Sequence, residues 1–267
     1  LETIKAVVEA ASDLKMPAVV QITQKSLNYA GDHEIATLAR NVIENRSNKN
    51  KIALHLDHGK SFKICKKAIQ LGFTSVMIDG SGLSYEENQN LTRRVVEYAH
   101  RFKVSVQGEL GTVPYLGEHL INKINNGETT EKEIWDRFMT DPEKAEDFVK
   151  KTGIDSLAVA IGNAHGHQKE RSTPDWPRLE EIKKKVRIPL ILHGSSDWSQ
   201  YKVEKAVQYG IRCFNVDTDL RIAYINKLCT LFEKDCRMQD PRDIMNDVRK
   251  NVKEKVKSKI KIFNPSL

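Results

Sequence analysis

Three apolar runs in this chain stop at a histidine followed by glycine. Ile52 to Gly59 reads I-A-L-H-L-D-H-G, Ser156 to Gly166 reads S-L-A-V-A-I-G-N-A-H-G, and Ile188 to Gly194 reads I-P-L-I-L-H-G. An apolar run with a polar stop is how a buried strand reads where it leaves a core. Three imidazoles brought to one point suit catalytic zinc, which takes three protein ligands and keeps a fourth position open. The candidate ligands are His58, His165 and His193, and the glycine after each lets backbone approach a ligand without a Cβ in the way. Asp57, next to His58, can move a proton on a metal-bound substrate or orient a ligand histidine. Asp79 and Glu109 end the next two strand-like runs; they suit a second cation or a hydrogen-bonded rim. His55 is expected on the face opposite Asp57. His33, His100 and His119 lack a strand-end setting, and His167 is near the third station without an assigned role.

To gather such residues, a fold must bring the ends of distant strands together. Strand-like and helix-like stretches alternate throughout. The strands are read at Pro17–Ile22, Lys51–Leu56, Thr74–Ile78, Val104–Gln107, Ser156–Ile161, Ile188–Leu192 and Arg212–Val216. Repeated β-then-α units whose strands are apolar on both faces imply a parallel sheet buried by helices. The expected fold class is α/β, a TIM (β/α)8 barrel, where the C-terminal ends of all strands share one face. About seven strands are counted and a closed barrel has eight, so the first strand is expected just before Leu1. A doubly wound open sheet is the competing architecture, weakened because no G-x-G-x-x-G follows a strand. One domain is expected over 1–267, with a C-terminal helical extension at about 240–262. In that extension Ile244, Val248, Val252, Val256 and Ile260 make one apolar stripe, for packing on its own barrel or for a subunit contact. Leu110 to Asp141 lacks a sustained period and reads as a long loop of the active-site lid type.

Composition excludes some classes. No apolar run reaches the ~18 residues of a membrane span. The charge of +7 gathers in Lys183–Lys185 and from Arg249 to Lys261, with no interleaved aromatic platform, so no nucleic-acid partner is expected. A positive balance also suits a phosphorylated metabolite. Cys65, Cys213, Cys229 and Cys236 form no C-x-x-C pair and read as reduced thiols of a cytoplasmic protein.

In order along the chain, H-L-D-H-G, S-V-M-I-D-G-S, S-V-Q-G-E-L-G, D-S-L-A-V-A-I-G-N-A-H-G, P-L-I-L-H-G-S-S and F-N-V-D-T-D-L resemble the zinc-dependent class II ketose-bisphosphate aldolases, which act on fructose- or tagatose-1,6-bisphosphate. The resemblance runs from Leu1 to the D-P-R at Asp240–Arg242 and weakly beyond. It implies His58, His165 and His193 as ligands of one catalytic Zn2+, with Asp57 as the acid/base. It implies Asp79 and Glu109 at a second divalent or monovalent cation. Glu118, in Y-L-G-E-H, stands for the family's proton-moving glutamate, with His119 replacing the usual Asp. The implied phosphate site is Gly166 and Lys169, then Gly194, Ser195 and Ser196, then Asn215, Val216, Asp217 and Thr218. Ser195 and Asp197 depart from the usual H-G-[GA]-S-G. Gln107 stands where Glu is common, and Asn163 where Thr or Ser is. Gln21 and Thr23, ending the first strand, are placed to touch substrate.

The function so implied is reversible cleavage of a ketose-1,6-bisphosphate, fructose-1,6-bisphosphate first, to dihydroxyacetone phosphate and glyceraldehyde 3-phosphate. The alternatives are tagatose-1,6-bisphosphate or another phosphorylated ketose, a catalytically silent sugar-phosphate-binding relative, and an unrelated zinc hydrolase. A cytoplasmic homodimer or homotetramer is the expected assembly.

Overall fold

The computed structural model describes residues 1–46, 52–113, 123, 126–164, 173–234 and 240–264. Helix α1 (Glu2–Leu14) leads to β1 (Ala18–Thr23), α2 (Gln24–Ala30) and α3 (Asp32–Arg46). Next come β2 (Ile52–Gly59), α4 (Phe62–Gln70), β3 (Ser75–Ile78), α5 (Tyr85–Ala99) and β4 (Ser105–Leu110). After them stand α6 (Glu131–Phe138), α7 (Pro142–Thr152), β5 (Ser156–Val159), α8 (Trp176–Lys185) and β6 (Leu190–Leu192). The last elements are α9 (Gln200–Gln208), β7 (Ile211–Phe214), α10 (Thr218–Lys234) and α11 (Pro241–Phe263).

The seven strands form one sheet in chain order, every pairing parallel. In a flat sheet β2 and β6, four strand spacings apart, would lie about 19 Å from each other. Instead His58 of β2 and His193, just after β6, touch at 3.1 Å. The sheet therefore curls on itself in the manner of a TIM-type barrel, as the alternation of strands and helices implied.

Side-chain alternation then sorts the strands into two layers. Leu54 and Leu56, Val76 and Ile78, Val106, Leu157 and Val159, and Leu190 and Leu192 face outward into the main core, with Phe148, Leu179 and Ile182 of the surrounding helices. Met77, Ala158 and Ile191 face inward and pack together with Cys213. The same inward parity carries on to Asp57, Asp79, Glu109 and His193 at the strand C-termini. It also corrects one expectation. Gln21↔His55 and Thr23↔Asp57 are consecutive same-face pairs of the β1–β2 ladder. His55 therefore shares the inner face with Asp57, and its Nδ1 meets Ser75 Oγ at 2.8 Å.

A second correction concerns the stretch from Leu110 to Asp141. Its described part contains α6, opened by a reciprocal cap in which Thr130 Oγ1 accepts from the Glu133 amide and Glu133 accepts from the Thr130 amide. Ile134 and Trp135 bury its inner side. The T-E-K-E spacing was the legible signal for this helix.

The stripe on α11 packs within the chain. Ile244, Val248, Val252 and Val256 are buried with Ala6 and Ala10 of α1 and Leu231 of α10. Arg249 pairs with Glu9 at 3.2 Å, and Lys253 and Lys257 pair with Asp13 at 2.9 and 2.7 Å along the seam. Among the described residues β1 and β7 each lack a strand partner on their outer edge. A groove of about 480 Å³ lies between them, lined by Ala18, Val19 and Gln21 on one side and Arg212, Cys213 and Phe214 on the other. No helix among the described residues is long and apolar enough to cross a membrane.

Candidate metal centre

β2 does not end as a regular strand. Its register with β3 slips between Leu56 and Gly59, and His58 takes φ 49°, in the left-handed region. A Cβ on Gly59 would stand 2.8 Å from the Met77 carbonyl oxygen, so only glycine lets the two backbones approach there. The kink turns the His58 ring into the barrel mouth. Its Nε2 lies 3.1 Å from His193 Nδ1, and its Nδ1 lies 2.7 Å from Asp79 Oδ2. Two nitrogens bound tetrahedrally to one zinc at 2.0–2.1 Å would sit roughly 3.3 Å apart. The observed imidazole pair is therefore already at ligand spacing.

The donors fall in two overlapping sets, Asp57–His58–His193 and His58–Asp79–Glu109, each with its ligand atoms within 4.8 Å of one another. Asp57 Oδ1 and Glu109 Oε2 are buried without a hydrogen-bond partner among the described residues. Buried orphan oxygens are uncommon because each forfeits its hydration. Two of them facing a pair of imidazoles fit a cation site. These residues suit the zinc that the sequence implied. The third expected ligand, His165, lies outside the described residues.

Electrostatics follow from crowding acids around one ring. Burial opposes the charged form of His58, but the Asp79 hydrogen bond and the nearby Asp57 and Glu109 charges outweigh it and lift its pKa to about 9. Burial likewise opposes the Asp79 carboxylate, yet bonds from His58, Lys60 and Ser81 hold it well below the usual range. Glu109 has no such donors, so burial and the Asp79 charge push it up to about 8. Burial also raises Asp57, with His58 working against the rise and Asp217 and Asp79 adding to it. Asp79 thus holds the Nδ1 side of the His58 ring, an arrangement that would fix which ring nitrogen faces a metal.

His193 is braced in the same way. Gln107 Nε2 and Asn215 Nδ2 lie 3.0 and 3.1 Å from its Nε2, and Asn163 Nδ2 donates to its carbonyl at 2.8 Å. A cation on Nδ1 would leave the ring proton on Nε2, which one of these amides can accept only with its oxygen turned to the ring. In sequence, Gln107 and Asn163 showed only as departures from a motif. The usable signal was parity, since Gln107 lies two residues before Glu109 and so on the same inner face.

Next to this centre, Gly194 takes φ 61°, Ser195 and Ser196 are buried, and the Ser195 hydroxyl has no partner among the described residues. Asn215 follows β7, and Thr218 opens α10, whose first amides are unpaired within the helix. Asp197 is exposed and Asp217 is paired with Arg221 at 2.8 Å. Thr23 is occupied as a cap, accepting from the Ser26 amide at 3.1 Å, and Gln21 lines the groove between β1 and β7. Glu118, Gly166 and Lys169 lie outside the described residues. Burial pushes the thiols of Cys65 and Cys213 up to about 12 and about 11, so neither suits a nucleophile.

The model of the family described as fructose-bisphosphate aldolase class-II matches residues 1–266. A fructose-bisphosphate aldolase of Geobacillus stearothermophilus is 36% identical over 250 residues, 93% of this chain and 83% of that one. The crystal structure of the YdjI aldolase of Escherichia coli K12 matches at a TM-score of 0.82 and 28% identity, covering 99% of this chain and 88% of that one. A Campylobacter jejuni fructose-bisphosphate aldolase, at 21% identity and a TM-score of 0.76 over 98% of this chain and 87% of its own, shares the fold. The histidine stations, the curled parallel sheet and these likenesses agree, and the chain belongs to the class II fructose-bisphosphate aldolase family, whose members are carbon–carbon lyases.

Proposed function

We propose that the chain cleaves a ketose-1,6-bisphosphate reversibly, fructose-1,6-bisphosphate first, with zinc as the resident metal held by His58, His165 and His193. The observation that carries this reading is the pair of imidazole nitrogens 3.1 Å apart beside the orphaned Asp57 Oδ1. The ion would supply Lewis-acid polarisation of the substrate carbonyl. Asp57, its carboxyl raised by burial, takes the C4 hydroxyl proton as the C3–C4 bond breaks and glyceraldehyde 3-phosphate leaves. Glu118 then gives a proton to C3 of the remaining three carbons, completing dihydroxyacetone phosphate. Asp79 keeps the His58 ring oriented and, with Glu109, is the place for a second cation. Gly194, Ser195, Ser196, Asn215, Val216, Asp217 and Thr218, joined by Gly166 and Lys169, take a phosphate; Gln21 and Thr23 stand nearest the first strand's end. Backbone amides, hydroxyls and a lysine are the donors an anion needs.

Ser195 favours one alternative. Its buried side chain stands where the family's usual motif has a smaller residue, which would suit tagatose-1,6-bisphosphate or another phosphorylated ketose. The eighth strand of a closed barrel would occupy the groove between β1 and β7. A homodimer or homotetramer would use exposed apolar residues such as Ile222, Ile225 and Phe232 of α10, in a cytoplasmic setting. The test is a coupled assay on fructose- and tagatose-1,6-bisphosphate, with chelator and with zinc restored. Turnover that survives full chelation, or a competent His58→Ala variant, overturns the reading.

A further inference from the structure

We infer that Lys259, on the C-terminal helix α11, is a positioning residue of the phosphate cradle. The inference rests on the sugar-phosphate reading of Gly194–Ser196 and Asn215–Thr218. Lys259 lies 63 residues along the chain from Ser196, yet its Nζ donates to the Ser196 carbonyl oxygen. The same ammonium pairs with Asp219 Oδ2 at 2.7 Å, and both side chains are nearly buried, at 12% and 11% exposure. Asp219 stands in the first turn of α10, directly after Thr218. One cation therefore ties the segment after β6 to the segment after β7, the two described halves of the cradle.

The consequence follows from peptide geometry. In a planar trans peptide the carbonyl and the next amide N–H point in opposite directions. Holding the Ser196 carbonyl toward α11 turns the Asp197 N–H away from α11. That leaves the Asp197 N–H clear of α11 as a donor for an anion, two residues along from the buried Ser195 hydroxyl, which has no partner among the described residues. Asp219 neutralises the lysine locally, so Lys259 acts by fixing a peptide plane, not by lending net charge to the ligand.

The experiment measures inorganic phosphate binding to the zinc-loaded protein by calorimetry, alongside aldol turnover. Lys259→Met alone would strand a nearly buried Asp219 carboxylate, which risks misfolding. The working variant is therefore Lys259→Met with Asp219→Asn, which removes both charges together. Phosphate affinity and KM are expected to worsen about tenfold while kcat and bound zinc stay within about threefold; Lys259→Arg should keep phosphate affinity within about threefold of wild type. In the unmodified protein, phosphate should slow hydrogen exchange at the Asp197 amide, a readout that needs no variant. A folded double variant that binds phosphate like wild type overturns the inference, as does unchanged exchange at Asp197. Wild-type turnover bears separately on the aldolase reading: activity without any phosphate effect at Lys259 removes only this inference.

Discussion

Asp79→Asn sets two effects of one hydrogen bond against each other. In the metal-free protein Asp79 accepts from His58 Nδ1 at 2.7 Å and helps lift that imidazole to about 9. A metal needs the ring neutral, so the proton must leave before the ion binds. A group titrating near 9 is about 1% neutral at pH 7 and about half neutral at pH 9. The proton handicap is thus about a hundredfold at pH 7 and about twofold at pH 9, and the substitution removes the share that the Asp79 bond supplies. Against this stands the loss of the partner that orients the ligand ring, typically worth about 10- to 100-fold in affinity. The two oppose each other most at pH 7, and the loss dominates at pH 9. Wild-type zinc affinity should therefore climb about fiftyfold between pH 7 and 9, and the variant should climb less steeply. Competition with a fluorescent chelator across that range measures both slopes. Parallel slopes would refute the claim that Asp79 governs the His58 proton. The same titration has a stability counterpart. A folded pKa above the unfolded one contributes stability fully below about 6.5, and that contribution is lost as pH rises through about 9.

Asp57→Asn should lower kcat by about 10²- to 10⁴-fold, with zinc content by mass spectrometry unchanged; loss of zinc instead would make Asp57 chiefly a ligand. Ser195→Ala removes a buried unpartnered hydroxyl, so thermal unfolding should show a metal-free protein more stable by about 1 kcal/mol and a weaker phosphate complex. Equal destabilisation of both forms would mean the hydroxyl serves packing. Asp13→Asn breaks the pairs with Lys257 and Lys253, whose hydrogen bonds hold that carboxyl below its usual range. Because Asp13 is exposed, the loss should stay below about 1 kcal/mol and shrink in salt. It should vanish in acid as pH falls through the depressed folded pKa, where wild type and variant converge in urea titrations.

Much of the barrel was legible because strand and helix periods are local. All seven runs read as strands became strands, and the stops at Asp57–Gly59, Asp79, Glu109 and His193 fell at their C-terminal ends. The face of His55 was misjudged although alternation alone decides it. Helix α6 was hidden because its apolar side is only a few residues long and its best signal is a cap. Lys259 was not legible at all. Nothing in K-S-K-I-K distinguishes the lysine that reaches Ser196 from its neighbours until α11 is laid against α10. Gln107 was visible as an oddity, but its bond to His193 joins two strands far apart in the chain. Contacts made by curling the sheet leave no local trace.

The backbone at His58 has a further consequence. A left-handed φ of 49° on a side-chain-bearing residue costs on the order of 1–3 kcal/mol. Glycine would relax that kink at once, and asparagine nearly so. That relief does not make the chain sturdier, because the ring is also the bonded partner of the buried Asp79 carboxylate, and stranding such a charge costs about 3–5 kcal/mol, more than the strain it removes. Mutant libraries sorted only for heat resistance should therefore keep this histidine, the strained backbone being held by what its ring touches.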